Sequence, residues 1–290
     1  MGRHANVTGT HGAADALVYE TLTAGATSDA SGIDRRVFVT HLGKATLAVA
    51  VMGPLMAACD LGSSQMEAST WHRIPLSPEG VESSIQEVGI GAAYVLVRDG
   101  EAAVIDTGKP SWGDESVIED TLTAVGLGWD AVGHVIVTHH HADHRGNLPA
   151  VMTLASDATG YAGAADIPII EQLALPRSLT AVGDGDSVFG LDIIETPGHT
   201  PGHISALDPV GSFLVAGDAL VGSDWPTFGA NADETSVLLG PNPSYTQDAA
   251  QADESVKKLT GYSFDTALFG HGSPVIGDAG EQLAELAATL

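Results

Sequence analysis

The 290-residue chain carries 11 Lys+Arg against 37 Asp+Glu, a formal charge of −26. Nucleic-acid binding through a basic face is therefore excluded as an expectation, and the single cysteine, Cys59, rules out both an internal disulfide and a thiolate-based zinc site. The length is ample for one large core or two small ones. The acids are dispersed, which fits a self-repelling soluble surface or a protein working in high salt, where that repulsion is screened.

Residues 1–34 are polar and aperiodic, and are expected to be mobile. Arg35-Arg36 follows, then an apolar run from Ala45 to Ala58 that is too short for an ordinary spanning helix of about 20 residues. The run ends in Leu55-Met-Ala-Ala-Cys59. This order resembles a twin-arginine export signal ending in a lipobox. The resemblance implies cleavage before Cys59, a lipid on Cys59 as the one contact with a membrane, and an extracytoplasmic, membrane-anchored protein. The alternative is a buried N-terminal helix. Residues 1–58 are thus read as the signal, 59–88 as a linker and 89–290 as the working domain.

Within that domain, Ala92–Arg98 and Ala102–Asp106 are expected strands around the Asp99-Gly100 hairpin turn. Ser116–Val125 has helical periodicity, with Val117, Ile118, Leu122 and Val125 on one face. A strand over Val132–Thr138 leads into Thr138-His-His-His-Ala-Asp-His-Arg-Gly146. His139, His141, Asp143 and His144 crowd three imidazoles and a carboxylate into six residues. Buried, that many polar atoms need partners, and a divalent metal is the partner common to all of them. Short helices are expected over Asn147–Leu154 and Ile167–Leu173. Short strands follow at 187–189, 191–196, 203–207, 212–216 and 265–269. Ala219–Pro243 reads as a loop, with Thr246–Leu259 and Gly280–Leu290 as closing helices. Asp106, His199, Asp218 and His271 each sit just after an expected strand, beside Gly or Pro. Strand ends are where sheet scaffolds present functional groups.

Five motifs in order, VIDTG at 104–108, HxHxDH at 139–144, TPGHTPGH at 196–203, GD at 217–218 and GHG at 270–272, make this sequence similar to the metallo-β-lactamase superfamily over roughly 89–290. The resemblance implies an α/β, four-layer αββα sandwich with the site on one edge. It also implies two divalent metal ions, Zn first with Fe or Mn as options. His139, His141 and His199 would hold one ion, Asp143, His144 and His271 the other, and Asp218 would bridge them. Asp106 would orient a ligand imidazole, and Asp143 would also handle a proton. His203 is read as structural, His140 as pointing away from the metals and His134 as a sheet-face residue.

The implied reaction is hydrolysis by a hydroxide held between the metals, acting on a small ester, lactone or thioester. A phosphoester hydrolase and a non-catalytic metal- or ligand-binding surface lipoprotein are the alternatives. Family β-lactamases typically lack the bridging aspartate, which argues against that activity. No Lys or Arg follows His271 to match the basic glutathione site of glyoxalase II. The partner is a small molecule, over which Trp225, Phe228 and Tyr245 could form an apolar wall. Oligomeric state is left open.

Overall fold

Two sheets face each other through alternating side chains of strands that are buried on both sides. The computed structural model describes residues 67–76, 90–112, 115–224 and 236–290, with the backbone of 37–41 and 47–51. All of these belong to the unit Arg35–Leu290. The first sheet runs in chain order through β1 (Val37–His41), β2 (Leu47–Val51), β3 (Thr70–Leu76), β4 (Gly91–Arg98), β5 (Glu101–Ile105), β6 (Val132–Val137), β7 (Thr159–Gly163) and β8 (Thr180–Val182). It is antiparallel up to β5 and parallel from β5 to β8. Helix α1 (Ser116–Ala124) connects β5 to β6, α2 (Ala142–Arg145) and α3 (Leu148–Leu154) connect β6 to β7, and α4 (Ile167–Ile170) precedes β8.

The second sheet contains β9 (Ser187–Val188), β10 (Leu191–Glu195), β11 (Ile204–Asp208), β12 (Phe213–Gly217), β15 (Thr266–Phe269) and β16 (Val275–Ile276), in the order 16-15-12-11-10-9. A small ribbon of β13 (Val221–Gly222) and β14 (Leu238–Leu239) lies between β12 and β15 in the chain. The closing helices are α5 (Ala249–Leu259) and α6 (Ala279–Ala287).

Period-2 alternation builds the layers. On β4, Ala93 and Val95 join the cluster under α1 and α3, with Ile118, Leu122, Leu148 and Val151. Tyr94 and Leu96 turn the other way, meeting Ile193, Phe213, Val215 and Leu268 of the second sheet. The far face of that sheet places Leu214, Ala216 and Phe269 against Val256 and Leu259 of α5 and Leu283 of α6. The order helix, sheet, sheet, helix is the expected αββα sandwich. Backbone bonds seam the sheets beside the site: Ala92 N–H donates to Gly270 O at 2.8 Å and Ile204 N–H to Thr138 O at 2.9 Å.

Several expectations need correction. Thr70–Leu76, inside the expected linker 59–88, is a strand paired with β4 along its whole length. Its sequence hides this, because Arg73 is buried by donating to Gly272 O. The helix expected from Thr246 starts at Ala249, since the Asp248 carboxylate caps it by accepting Gln251 N–H at 3.0 Å. Ile167–Leu173 is one α-turn followed by a 3-10 turn. The expected loop 219–243 contains the β13–β14 ribbon. Arg35, Arg36, Cys59, Trp225 and Phe228 lie outside the described residues. Part of the expected signal run, Leu47–Val51, forms β2 beside β3. Among the described residues no helix is long and apolar enough to cross a membrane.

One buried ion pair ties the layers far from the strand ends that bear the histidines. Arg98 at the end of β4 donates to Asp208 of β11 at 2.9 Å, with side chains 8% and 0% exposed. Asp208 also accepts the backbone N–H groups of Ser69, Val210 and Gly211. Arg98→Met would leave that carboxylate charged and buried, at a cost of about 3–5 kcal/mol. Urea unfolding of the variant should show a midpoint lowered to match; an unchanged midpoint would refute this account of the pair.

Candidate metal centre

The strands β10 and β12 share a direction, both being antiparallel to β11, and β15 is parallel to β12. Their C-terminal ends deliver His199, Asp218 and His271. In the first sheet, parallel β5 and β6 deliver Asp106 and the segment His139–His144. Five chain segments distant in sequence therefore meet at one edge. Every residue expected to hold metal is there. Potential donor atoms group as His139/His141/His199, His139/His144/Asp218 and Asp143/His144/His271.

The atoms that converge are specific. His141 Nδ1 lies 3.0 Å from both His139 Nε2 and His199 Nε2. Asp218 Oδ2 lies 3.3 Å from His199 Nε2, 3.4 Å from His271 Nε2 and 4.0 Å from His139 Nε2. Asp143 Oδ2 is 3.4 Å from His271 Nε2. His144 Nε2 and Asp218 Oδ1 are 3.4 Å apart, buried, and make no hydrogen bond. Without a hydrogen bond, this buried pair is held by charge alone, and a cation between the two atoms would satisfy both. The donor set fits a pair of divalent cations, with His139, His141 and His199 able to hold one, Asp143, His144 and His271 the other, and Asp218 between them.

The outer nitrogens explain why the inner ones are available. Asp106 Oδ1 and Oδ2 accept Thr138 N–H and Oγ1–H, each at 2.8 Å, and Oδ2 accepts His144 Nδ1–H at 2.8 Å. With its proton committed to Asp106, Thr138 Oγ1 accepts from His139 Nδ1 at 3.1 Å. His271 Nδ1–H donates to Ile90 O at 2.6 Å. Thr246 Oγ1–H donates to Asn242 O, leaving its lone pair for His199 Nδ1 at 3.3 Å. In all four rings this network commits Nδ1–H to an acceptor, so Nε2 is the nitrogen a cation would take, after displacing its proton where the ring is charged. Asp106 reaches its three donors from a left-handed backbone, φ 57°, a strained conformation for a residue other than glycine.

Neighbouring groups hold the loops. His203 is buried and structural: its Nε2 accepts Asp218 N–H at 3.0 Å, and its Nδ1–H reaches Thr196 Oγ1 at 2.8 Å. His140 turns away from the cluster, its Nδ1 3.0 Å from Asp166. His134 is stacked on Tyr161 at 5.8 Å. Asp166 was not singled out in the sequence. It is fully buried and accepts His140 N–H, Thr200 Oγ1–H and Gly202 N–H, joining the two histidine loops. No local pattern in the sequence marked it. Glycine is needed at 270, where a Cβ would fall 2.2 Å from Asp218 Oδ1.

Burial dominates the electrostatics. It depresses His139 well below 6.5, aided by His144, and takes His199 to about 4 despite the attraction of Asp218. For His271 burial also opposes charge, but Asp218 and Asp143 outweigh it and lift the ring to about 9. His144 is raised in the same way by Asp218 and Asp106. The cluster borders a cavity of about 390 Å³ walled by Ile90, Lys109, Trp112, Val221 and Tyr245.

A deep αββα edge bearing histidines and aspartates defines a metal-binding class of protein. The chain belongs to the metallo-beta-lactamase superfamily, whose family model matches residues 87–271. It is 28% identical over 218 residues to "Probable metallo-hydrolase YflN" of Bacillus subtilis, covering 64% of this chain and 81% of that protein. It is 33% identical over 186 residues to a hydroxyacylglutathione hydrolase of Rhizobium johnstonii, covering 61% of this chain and 60% of the relative. The fold is similar to a metallo-beta-lactamase family protein from Thermus thermophilus, with TM-score 0.55 and 22% identity over 76% of this chain and 78% of that one.

Metal binding should release protons. Without metal His271 is charged at pH 7, being lifted to about 9, whereas a ligand imidazole is neutral. Affinity is therefore expected to rise between pH 6.5 and 8.5, by about tenfold per pH unit for each proton displaced. Zinc titrations in buffers of different ionisation enthalpy would measure this, and a buffer-independent heat would contradict it.

Proposed function

We propose that this chain is a hydrolase of small carboxylic esters, lactones or thioesters, working with two divalent metal ions. The observation that carries the reading is the convergence of seven donor side chains on one edge, with His144 Nε2 and Asp218 Oδ1 buried and without a hydrogen bond. Zinc suits the histidine-rich, thiol-free set, and the oxygens of Asp143 and Asp218 also admit iron or manganese. Bound there, such ions lower the pKa of water towards neutrality and polarise a substrate oxygen.

The chain's own groups would do the rest. Asp106 fixes the rings of His144 and, through Thr138, His139. Asp143 borders the cavity and is held ionised: burial opposes its charge, but His271 and His144 outweigh it. Its place at the cavity wall, rather than its basicity, would let it relay a proton between the attacking water and the leaving group. Trp112, Ile90 and Val221 give an apolar wall for the acyl portion. The hydroxyacylglutathione hydrolase relative supports an acyl bond over a phosphoester, although the chain spans only three fifths of that protein.

The order Arg35-Arg36, apolar run, Cys59 supports export with 1–58 as signal and a lipid on Cys59, and cleavage there would remove β1 and β2 and leave β3 at the edge of the first sheet. On that reading, Arg35→Lys with Arg36→Lys retains the precursor inside the cell on fractionation, and normal export would remove the assignment.

The metal-loaded protein should bind two equivalents of metal and hydrolyse members of a nitrophenyl ester, thioester and lactone panel. Asp218→Ala should lose at least one equivalent and lower kcat/KM by about 10²-fold or more, the scale of losing one stabilising group. Full activity with two bound metals in that variant would defeat the dinuclear assignment. Failure to turn over any acyl substrate would defeat the reaction class.

A further inference from the structure

Lys109 stands out by what it does not do. Of the described basic side chains, the others donate to oxygen: Arg98 to Asp208, Arg73 to Gly272 O, Arg145 to His140 O, Arg177 to Ala158 O, Lys257 to Glu254 and Lys258 to Asp184. Among the described residues Lys109 Nζ meets no carboxylate or carbonyl. It lies 3.9 Å from the centroid of the Trp112 ring, and both residues line the cavity with His141, Asp143 and His271.

The backbone fixes this placement. Residues Lys109-Pro-Ser-Trp112 form a turn closed by Trp112 N–H donating to Lys109 O at 2.9 Å, with Pro110 at its second position. The turn is anchored from behind by Asn147 N–H donating to Gly108 O. Lysine and tryptophan thus emerge side by side, and the ring holds the ammonium by cation–π attraction. Trp112 in turn lies nearly perpendicular to the His271 ring, with centroids 6.5 Å apart. A single aromatic ring separates the ammonium from the candidate metal centre.

We infer that Lys109 is a specificity-determining residue that binds a carboxylate on the substrate, so that the preferred ester or thioester is anionic. The inference rests on the hydrolase reading above for the reaction, but not for the anion recognition. The chemistry favours it. A chain of formal charge −26 repels anions at long range, but salt screens that field beyond about 8 Å. A half-buried lysine then adds a fixed positive charge to the cavity wall, on the side of Trp112. Because Trp112 already orders the side chain, little rotamer freedom is lost on binding an anion. A neutral substrate would gain nothing from the ammonium and would have to displace its hydration.

The test compares 4-nitrophenyl succinate, which carries a free carboxylate, with its neutral methyl ester on the metal-loaded protein. The ratio of kcat/KM, anionic over neutral, is expected to fall at least tenfold in Lys109→Met, chiefly through KM, and to be largely retained in Lys109→Arg. A ratio unmoved within twofold in Lys109→Met would overturn the inference. If wild type turns over neither ester, the hydrolase reading fails and the lysine is read by glutarate binding to the metal-loaded protein in calorimetry. Binding at least tenfold weaker in Lys109→Met than in wild type would uphold anion recognition, and equal binding would overturn it.

Discussion

The site depends on where each imidazole keeps its proton. A ring that offers Nε2 to a cation must place its hydrogen on Nδ1, and that choice is made by the acceptor behind it. Asp106 makes it for two rings at once, directly for His144 and through the Thr138 hydroxyl for His139. A main-chain carbonyl, Ile90 O, makes it for His271, and Thr246 for His199. The left-handed backbone at Asp106 is the strain accepted to reach all three donors.

Around that constraint the protein spends buried charge sparingly. Asp218 sits in the centre with imidazoles of His139, His144, His199 and His271 about it, so its carboxylate is held ionised against burial. His203 secures its backbone, and Asp166 ties together the loops carrying the other donors. These supporting groups are buried as deeply as the ligands they serve. Bonds of this kind fix the donors' positions, which lowers the reorganisation needed on binding a cation.

The surface tells a different story from the interior. The acid excess is spread over the outside, while the described basic groups are almost all engaged in structural bonds. Lys109 is the exception, and it faces the cavity. A lone cation placed at a cavity wall acts by position rather than through net charge.

The residues that converge at the site were legible in the sequence, and the layer architecture through the family resemblance. HxHxDH is too dense in ligands for a packing role, and the remaining donors each follow a β-like run beside Gly or Pro. The apolar run Ala92–Val97 was legible as a strand, and the structure divides it between two cores, Ala93 and Val95 on one face and Tyr94 and Leu96 on the other. Other features were not legible. Strand β3 reads as linker because Trp71-His-Arg-Ile-Pro has no clean period, and Arg73 becomes a core residue only once Gly272 O, far along the chain, accepts from it. Asp166, Thr246 and Lys109 carry no local pattern; their roles exist only through partners distant in sequence or across a turn. By itself the sequence determined which atoms could bind metal, since that is a property of side-chain type and spacing. Only the tertiary structure decided which nitrogen of each ring faces inward and which cation faces the cavity, because both depend on hydrogen-bond acceptors and walls that the fold brings together from separate strands.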